Sequence, residues 1–266
     1  TMDTIKLAGD LNTLAHLYWR QGEYDQAWNT ATDLLSQAQS AGAPTFDLVR
    51  AHYALALISM SRADYADAEH HLGASRAAAE ALGQPELVAA QNTLLGILLT
   101  QQGAFDKAHQ LLRSAADIER SAGNETSAAR DFHNLGDLAL ARGDYSVARA
   151  MLGRSLEIKT NANDTFGLIY TLLALATLAY ETGDLAAAKD WVDRAAMLVA
   201  PSGEASLIAW YESVAARTAL ATEDFSRAAR LLNASIDFSV RSGERRRTAI
   251  NFEHAAQLAM LVGKAA

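Results

Sequence analysis

One short pattern recurs along the entire chain at a nearly constant interval. It reads Gly22-Glu23-Tyr24 with Ala27, then Ala63-Asp64-Tyr65 with Ala68, and Gly103-Ala104-Phe105 with Ala108. It returns as Gly143-Asp144-Tyr145 with Ala148, Gly183-Asp184-Leu185 with Ala188, and Glu223-Asp224-Phe225 with Ala228. Successive alanines stand 41, 40, 40, 40 and 40 residues apart. Fifteen residues beyond each alanine comes a second marker: Gly42, Gly83, Gly123, Asn163, Gly203 and Gly243. Glycine and asparagine tolerate the left-handed backbone that ends a helix. Pro44 and Pro85 follow two residues later, where a helix cannot continue. The extra residue of the first interval lies between Gly42 and Ala63, at the Pro44-Thr45 loop. A period of this size identifies an array of one supersecondary unit.

Between the markers the apolar spacing is helical. Leu55-Ala56 with Ser59, Leu95-Gly96 with Leu99, and Leu135-Gly136 with Ala139 repeat an i, i+1, i+4 face before each tight turn. Ala148, Leu152 and Leu156 continue the pattern after it. Each repeat therefore reads as two antiparallel helices, the second pair falling near 48–62 and 65–82. The periodic alanines let two helix backbones approach closely, and Tyr24, Tyr65, Phe105, Tyr145 and Phe225 fill the space beside that contact. The expected fold is all-α, a right-handed superhelical solenoid of about 13 helices in one domain over 1–266. Its repeats are expected at about 3–43, 44–84, 85–124, 125–164, 165–204 and 205–244, with a final half-repeat at 245–266.

Composition narrows the classes of function. The sequence is 50% apolar, enough to bury a core, and has no cysteine, which removes disulfides, thiolate chemistry and Cys-type zinc sites. A formal charge of −8 argues against sequence-independent nucleic-acid binding. The longest apolar stretch, Leu168 to Tyr180, is too short to span a bilayer, and TMDTIKLAGD lacks the apolar block of a signal peptide. A cytoplasmic location is the expectation, and the sequons at Asn124, Asn163 and Asn233 are then coincidental. No phosphate-cradling loop, H-E-x-x-H or G-x-S-x-G occurs, so neither catalysis nor a cofactor is expected. His70 and His71 with Asp67 are the nearest approach to a metal set. Adjacent histidines point about 100° apart on a helix, so these read as solvated surface. Arg245-Arg246-Arg247 reads as a solvated run as well.

The string Leu135-Gly136, Gly143-Asp144-Tyr145 and Ala148 resembles the tetratricopeptide repeat (TPR) family, whose helix–turn–helix unit shares the Leu-Gly and Ala signature. The resemblance covers essentially the whole chain, with two departures. The interval is about 40 residues rather than 34, and the family's early Trp is replaced by Leu11, His52, Asn92, Phe132 and Leu172. The long form is similar to the sensor arms of large bacterial regulators, including LuxR-family transcription activators and signal-transduction NTPases. Kinesin light chains and peptide-sensing receptors contain similar forms.

In stacked hairpins the first helix of each pair lines the concave side. The stripe opposite the core face is Asn12, His16, Trp19 and Arg20 in the first repeat, and Arg50, Tyr53, Leu57 and Met60 in the second. It continues as Thr93, Ile97, Thr100 and Gln101, then Arg130, His133, Asp137 and Leu140. Tyr170, Leu173, Thr177, Tyr180 and Glu181 follow, and then Trp210, Ser213, Arg217 and Leu220. Trp, Tyr and Arg dominate binding hot spots. The resemblance implies that these positions face a protein or peptide ligand. The competing reading packs Trp19, Tyr180 and Trp210 between neighbouring helices. Arg50, Arg130 and Arg217 either pair with Asp137 or Glu181 or hold an acidic ligand. The Lys/Asn carboxylate clamp of chaperone-type relatives is not reproduced.

The last helix is expected to present Phe252, Ala255, Leu258, Ala259 and Val262 to a following helix. Either the polypeptide is a fragment of a longer protein, or this face docks on a partner or on a second copy. Taken together, the sequence reads as a non-catalytic protein- or peptide-binding scaffold, the sensor or docking arm of a larger bacterial regulator. The alternative is a small-molecule inducer-binding domain of a transcriptional regulator.

Overall fold

The computed structural model describes residues 2–40 and 42–265, with side chains placed for 9–40 and 42–263. Among the described residues there are thirteen α-helices and no strand. They are α1 (Met2–Arg20), α2 (Tyr24–Gln39), α3 (Phe46–Ser61), α4 (Tyr65–Ala81), α5 (Pro85–Gln101), α6 (Phe105–Ser121) and α7 (Glu125–Arg142). After these come α8 (Tyr145–Asn161), α9 (Thr165–Glu181), α10 (Leu185–Ser202), α11 (Ala205–Ala221), α12 (Phe225–Ser242) and α13 (Arg245–Ala265).

Every marker of the period is a backbone position with positive φ. The first set runs Gly22 78°, Ala63 61°, Gly103 78°, Gly143 80°, Gly183 79° and Glu223 60°. The second set includes Gly83 at 64°, Asn163 at 53° and Gly243 at 77°. At each of the residues just named the preceding helix closes through a paired set of reversed hydrogen bonds. Asp144 N–H donates to Ala139 O at 2.8 Å and Gly143 N–H donates to Leu140 O at 3.0 Å, the Schellman arrangement that satisfies otherwise orphaned carbonyls. At two of these turns the following residue also caps the next helix with its side chain: Asp184 accepts from Ala187 N–H and Asp224 from Arg227 N–H, each at 3.0 Å.

Close approach of the two helices in a pair follows from the small residues. Ala27, Ala68, Ala108, Ala148, Ala188 and Ala228 are all fully buried. A Cβ added to Gly96 or Gly136 would stand 2.6 Å from the Cγ of Leu112 or Leu152, so these helices touch where only a glycine fits. The aromatics beside the alanines are less uniform than expected. Tyr24 is buried, whereas Tyr145 is 37% exposed, because Arg142, Gly143 and Asp144 leave that turn open to solvent.

The chain divides into two compact units, residues 1–134 and 135–266. In the first, Leu55 and Ile58 pack on Ala27 and Ala31, and Met60 and Leu72 on Leu94 and Leu98. In the second, Leu152 packs on Leu175 and Leu178, Ile169 and Leu173 on Val192 and Val199, and Leu220 on Leu232. The last helix differs from expectation. Ala255 and Leu258 pack inward against α11 and α12, together with Leu261, while Phe252 (53% exposed), Met260 (64%) and Val262 face outward. The helical register places 255, 258 and 261 on one face, and the preceding hairpin takes it. No helix among the described residues is long and apolar enough to cross a membrane.

Candidate functional site

In the second unit two groups of expected residues meet on adjacent first helices. Tyr170 of α9 and Trp210 of α11 lie with ring centroids 4.8 Å apart, and Phe166, one turn before Tyr170, adds a third ring at 5.0 Å. Tyr170 and Trp210 are only partly buried and Phe166 is exposed, so the cluster rests on the core but is not enclosed by it. Nearer the C-terminal ends of the same helices, the Arg217 guanidinium sits 4.4 Å above the Tyr180 ring and donates to Glu181 Oε1 at 3.3 Å. Burial holds its pKa below the ordinary guanidinium range, and Glu181 and Tyr180 work in the opposite direction. His254 of α13 joins this group: burial lowers its pKa, and the nearby Arg217 charge lowers it further. Asp137 lies partly buried on α7.

The first unit treats its expected residues differently. Trp19 donates through Nε1 to Ser61 Oγ of α3 at 2.9 Å, so it packs between neighbouring helices. Asn12, His16 and Arg20 are partly buried on α1, and burial followed by the Arg20 charge depresses His16. Arg50 is exposed and lies 3.6 Å from Asp47 of its own helix, while Arg130 reaches back to Glu119 of α6 at 3.9 Å. Tyr53 of α3 lies within electrostatic range of Arg130 and Asp131 of α7, and burial raises its pKa. His133 is buried. Of the arginines considered for pairing across the helices, only Arg217 takes Glu181.

Two regions differ from the sequence reading. His71 is half-buried: its Nδ1 lies 3.0 Å from Nδ1 of His52 on α3, with Trp28 edge-on at 5.8 Å, while His70 stays exposed. Burial, then His71 and His70, pushes the pKa of His52 down to about 4. The sequence hid this because His52 and His71 lie 19 residues apart on different helices. Arg247 is likewise no solvated residue, since it pairs with Glu244 at 2.7 Å and donates to Ser206 O at 2.7 Å. No group of three or more His, Asp or Glu among the described residues is arranged to hold a metal ion.

Sequence reasoning also missed a seam of buried polar side chains between helices. Thr93 donates to Asp131, Lys159 to Thr171 at 3.0 Å, and Ser213 to Asn251, which itself donates to Ser235. Phe166 was recoverable from its i, i+4 spacing to Tyr170. The seam was not, because polar residues at core phase look the same as solvated ones until their partners are placed.

Residues 86–161 match the sequence profile of the tetratricopeptide repeat. No curated protein matches the sequence. Among solved structures, the fold is similar to that of a Rap protein complexed with competence and sporulation factor (TM-score 0.72, 18% identity), covering 90% of this chain and 65% of that one. It is similar to aspartyl phosphate phosphatase F from Bacillus subtilis (TM-score 0.67, 16% identity), covering 90% and 61%. BtubC (BKLC) from P. vanneervenii aligns with TM-score 0.56 and 18% identity over 87% and 91%. The chain thus spans less than two thirds of the first two. At these identities the likeness is one of fold: helical repeats of the TPR type.

Proposed function

We propose that the chain is a non-catalytic scaffold that binds a protein or peptide segment along its first helices, as the docking or sensor arm of a larger bacterial regulator. The observation that carries this reading is the Phe166–Tyr170–Trp210 cluster beside the Tyr180–Arg217–Glu181 group on α9 and α11. Aromatic rings already packed on a rigid helix lose little freedom on binding and provide apolar contact, while a held guanidinium orients a polar or acidic group. The Rap structure, solved in complex with competence and sporulation factor, supports a protein or peptide as the ligand class. Asn12, His16, Arg20, Arg50, Tyr53, Arg130 and His133 in the first unit, and Asp137 in the second, are proposed as supporting positions on their own units, whereas Trp19 serves the packing between α1 and α3.

A peptide library selected on the purified protein tests this. Binders are expected to lose at least about tenfold in affinity on Tyr170→Ala and on Arg217→Gln, with melting followed in parallel. Selected peptides that bind both folded variants as tightly as wild type would remove this face from consideration.

A further inference from the structure

The aromatic cluster and the arginine group stand at a fixed separation along α9 and α11. Trp210 and Arg217 are seven residues apart on α11, two helical turns on one stripe, and Tyr170 and Tyr180 are ten apart on α9. At the rise of an α-helix this is about 10 to 15 Å. Between the two groups the side chains are short. Thr177 donates its hydroxyl to Leu173 O at 3.0 Å, and Ser213 donates to Asn251. A peptide backbone can therefore run close to both helices from one group to the other.

The arginine end has donors to spare. Arg217 is held 4.4 Å above the Tyr180 ring and keeps 19% of its side-chain surface exposed. Among the described residues its guanidinium donates only through Nη1, to Glu181 Oε1 at 3.3 Å. A guanidinium carries five N–H donors in a planar fork that matches a carboxylate through two parallel bonds. Glu181 meets it through one long contact and is itself 39% exposed, so it can turn away into water. His254, the neighbour on α13, supplies no negative charge.

Resting on the reading of α9 and α11 as the binding face, we infer that this face selects an extended segment with an apolar side chain and a carboxylate. At about 3.3 Å per residue of extended chain, the two lie about three or four residues apart. The apolar side chain rests on Phe166, Tyr170 and Trp210, and the carboxylate takes the open donors of Arg217. Glu181 is then a built-in competitor. It occupies Arg217 in the free protein and lowers the affinity for the arriving carboxylate.

Peptides selected from a library on the purified protein, and shown to lose affinity on Tyr170→Ala, test this. In one arm each Asp or Glu of the peptide is changed to its amide; in a second the C-terminus is amidated. The two arms separate a side-chain carboxylate from a terminal one. One of these changes is expected to cost about tenfold on wild type and less than about twofold on Arg217→Gln. Glu181→Gln is expected to bind the unmodified peptides about 3- to 10-fold tighter, and the amide forms no tighter. Glu181 is partly exposed and glutamine matches its shape, so this variant decides the matter even if Arg217→Gln melts early. Four results would overturn the inference and leave the binding face standing: no loss with either amide, an equal loss on Arg217→Gln, no gain in Glu181→Gln, or an acid about seven or more residues from the apolar side chain, the spacing of a bound helix. A selection in which no peptide depends on Tyr170 would overturn both readings.

Discussion

Thr93 Oγ1 donates to Asp131 Oδ1 at 2.7 Å, joining the first helices of successive repeats inside the core of the first unit. In the second unit Ser213 Oγ donates to Asn251 Oδ1 at the same 2.7 Å, across the same separation of 38 residues. Register between neighbouring helices is thus held by directional bonds as well as by apolar packing, which is tolerant of small slips. Asp131 is fully buried, so removing its donor leaves a carboxylate oxygen short of a bond. Thr93→Val, nearly equal in volume, is expected to cost about 1–3 kcal/mol. A melting temperature equal to wild type would show that the bond contributes nothing.

Ala63 and Glu223 occupy left-handed turns that glycine fills in the other repeats, with φ of 61° and 60°. A Cβ in that region is strained. Ala63→Gly and Glu223→Gly are each expected to stabilise the protein by up to about 1 kcal/mol, seen as a rise of about 2–4 °C in melting temperature. A fall in either variant would mean that the turn is shaped by contacts of the side chain.

The contact of Gly136 with Leu152 sets the spacing of its helix pair. A methyl group there meets Leu152 Cγ at 2.6 Å and Cδ2 at 2.7 Å, so Gly136→Ala is expected to destabilise by about 1–3 kcal/mol despite its better helix propensity. Ala108→Leu, at a fully buried alanine, is expected to cost a similar amount. Melting curves that overlay wild type would show these interfaces to be loose.

The His52–His71 contact makes stability depend on pH. His52 titrates near 6.5 when unfolded and at about 4 when folded, so the unfolded chain binds more protons between these values. The contribution is complete above about pH 6.5 and is lost as pH falls through about 4. It amounts to about 2 kcal/mol after allowance for partial solvent screening. Asp67 favours the charged form of His71, while His70 and burial oppose it. In His52→Gln the drop in melting temperature between pH 7 and pH 4 is expected to shrink. An unchanged drop would assign it to other groups.

Glu212 has the opposite sign. Burial raises its pKa to about 7, partly offset by Arg247, so the folded state favours the neutral acid. Its contribution is complete below about pH 4.5 and is lost as pH rises through about 7. Glu212→Gln is expected to raise the melting temperature relative to wild type at pH 8 and to leave it nearly unchanged at pH 4. The same shift at both values would point to packing rather than ionisation.

The helix boundaries were legible because turns and caps are local: α4 was expected at 65–82 and occupies Tyr65–Ala81. The functional face was legible only in part. Helical spacing placed Tyr170, Tyr180, Trp210 and Arg217 on one stripe, and neighbouring helices brought them together in pairs. The same spacing placed Trp19 there, yet a bond to Ser61 turns it into the packing between α1 and α3.

The amino-acid order alone determined the number of helices, their pairing into hairpins and the residues at each turn. Those features depend on backbone conformation and on which side of a helix is apolar, and both are set within a few neighbouring residues. Tertiary structure alone decided which polar side chains are buried and satisfied, and which buried atoms, like Gln91 Oε1, have no partner among the described residues. It also decided that His52 and His71 meet. Such outcomes depend on distances between helices far apart in the chain, where a shift of one ångström makes or breaks a hydrogen bond.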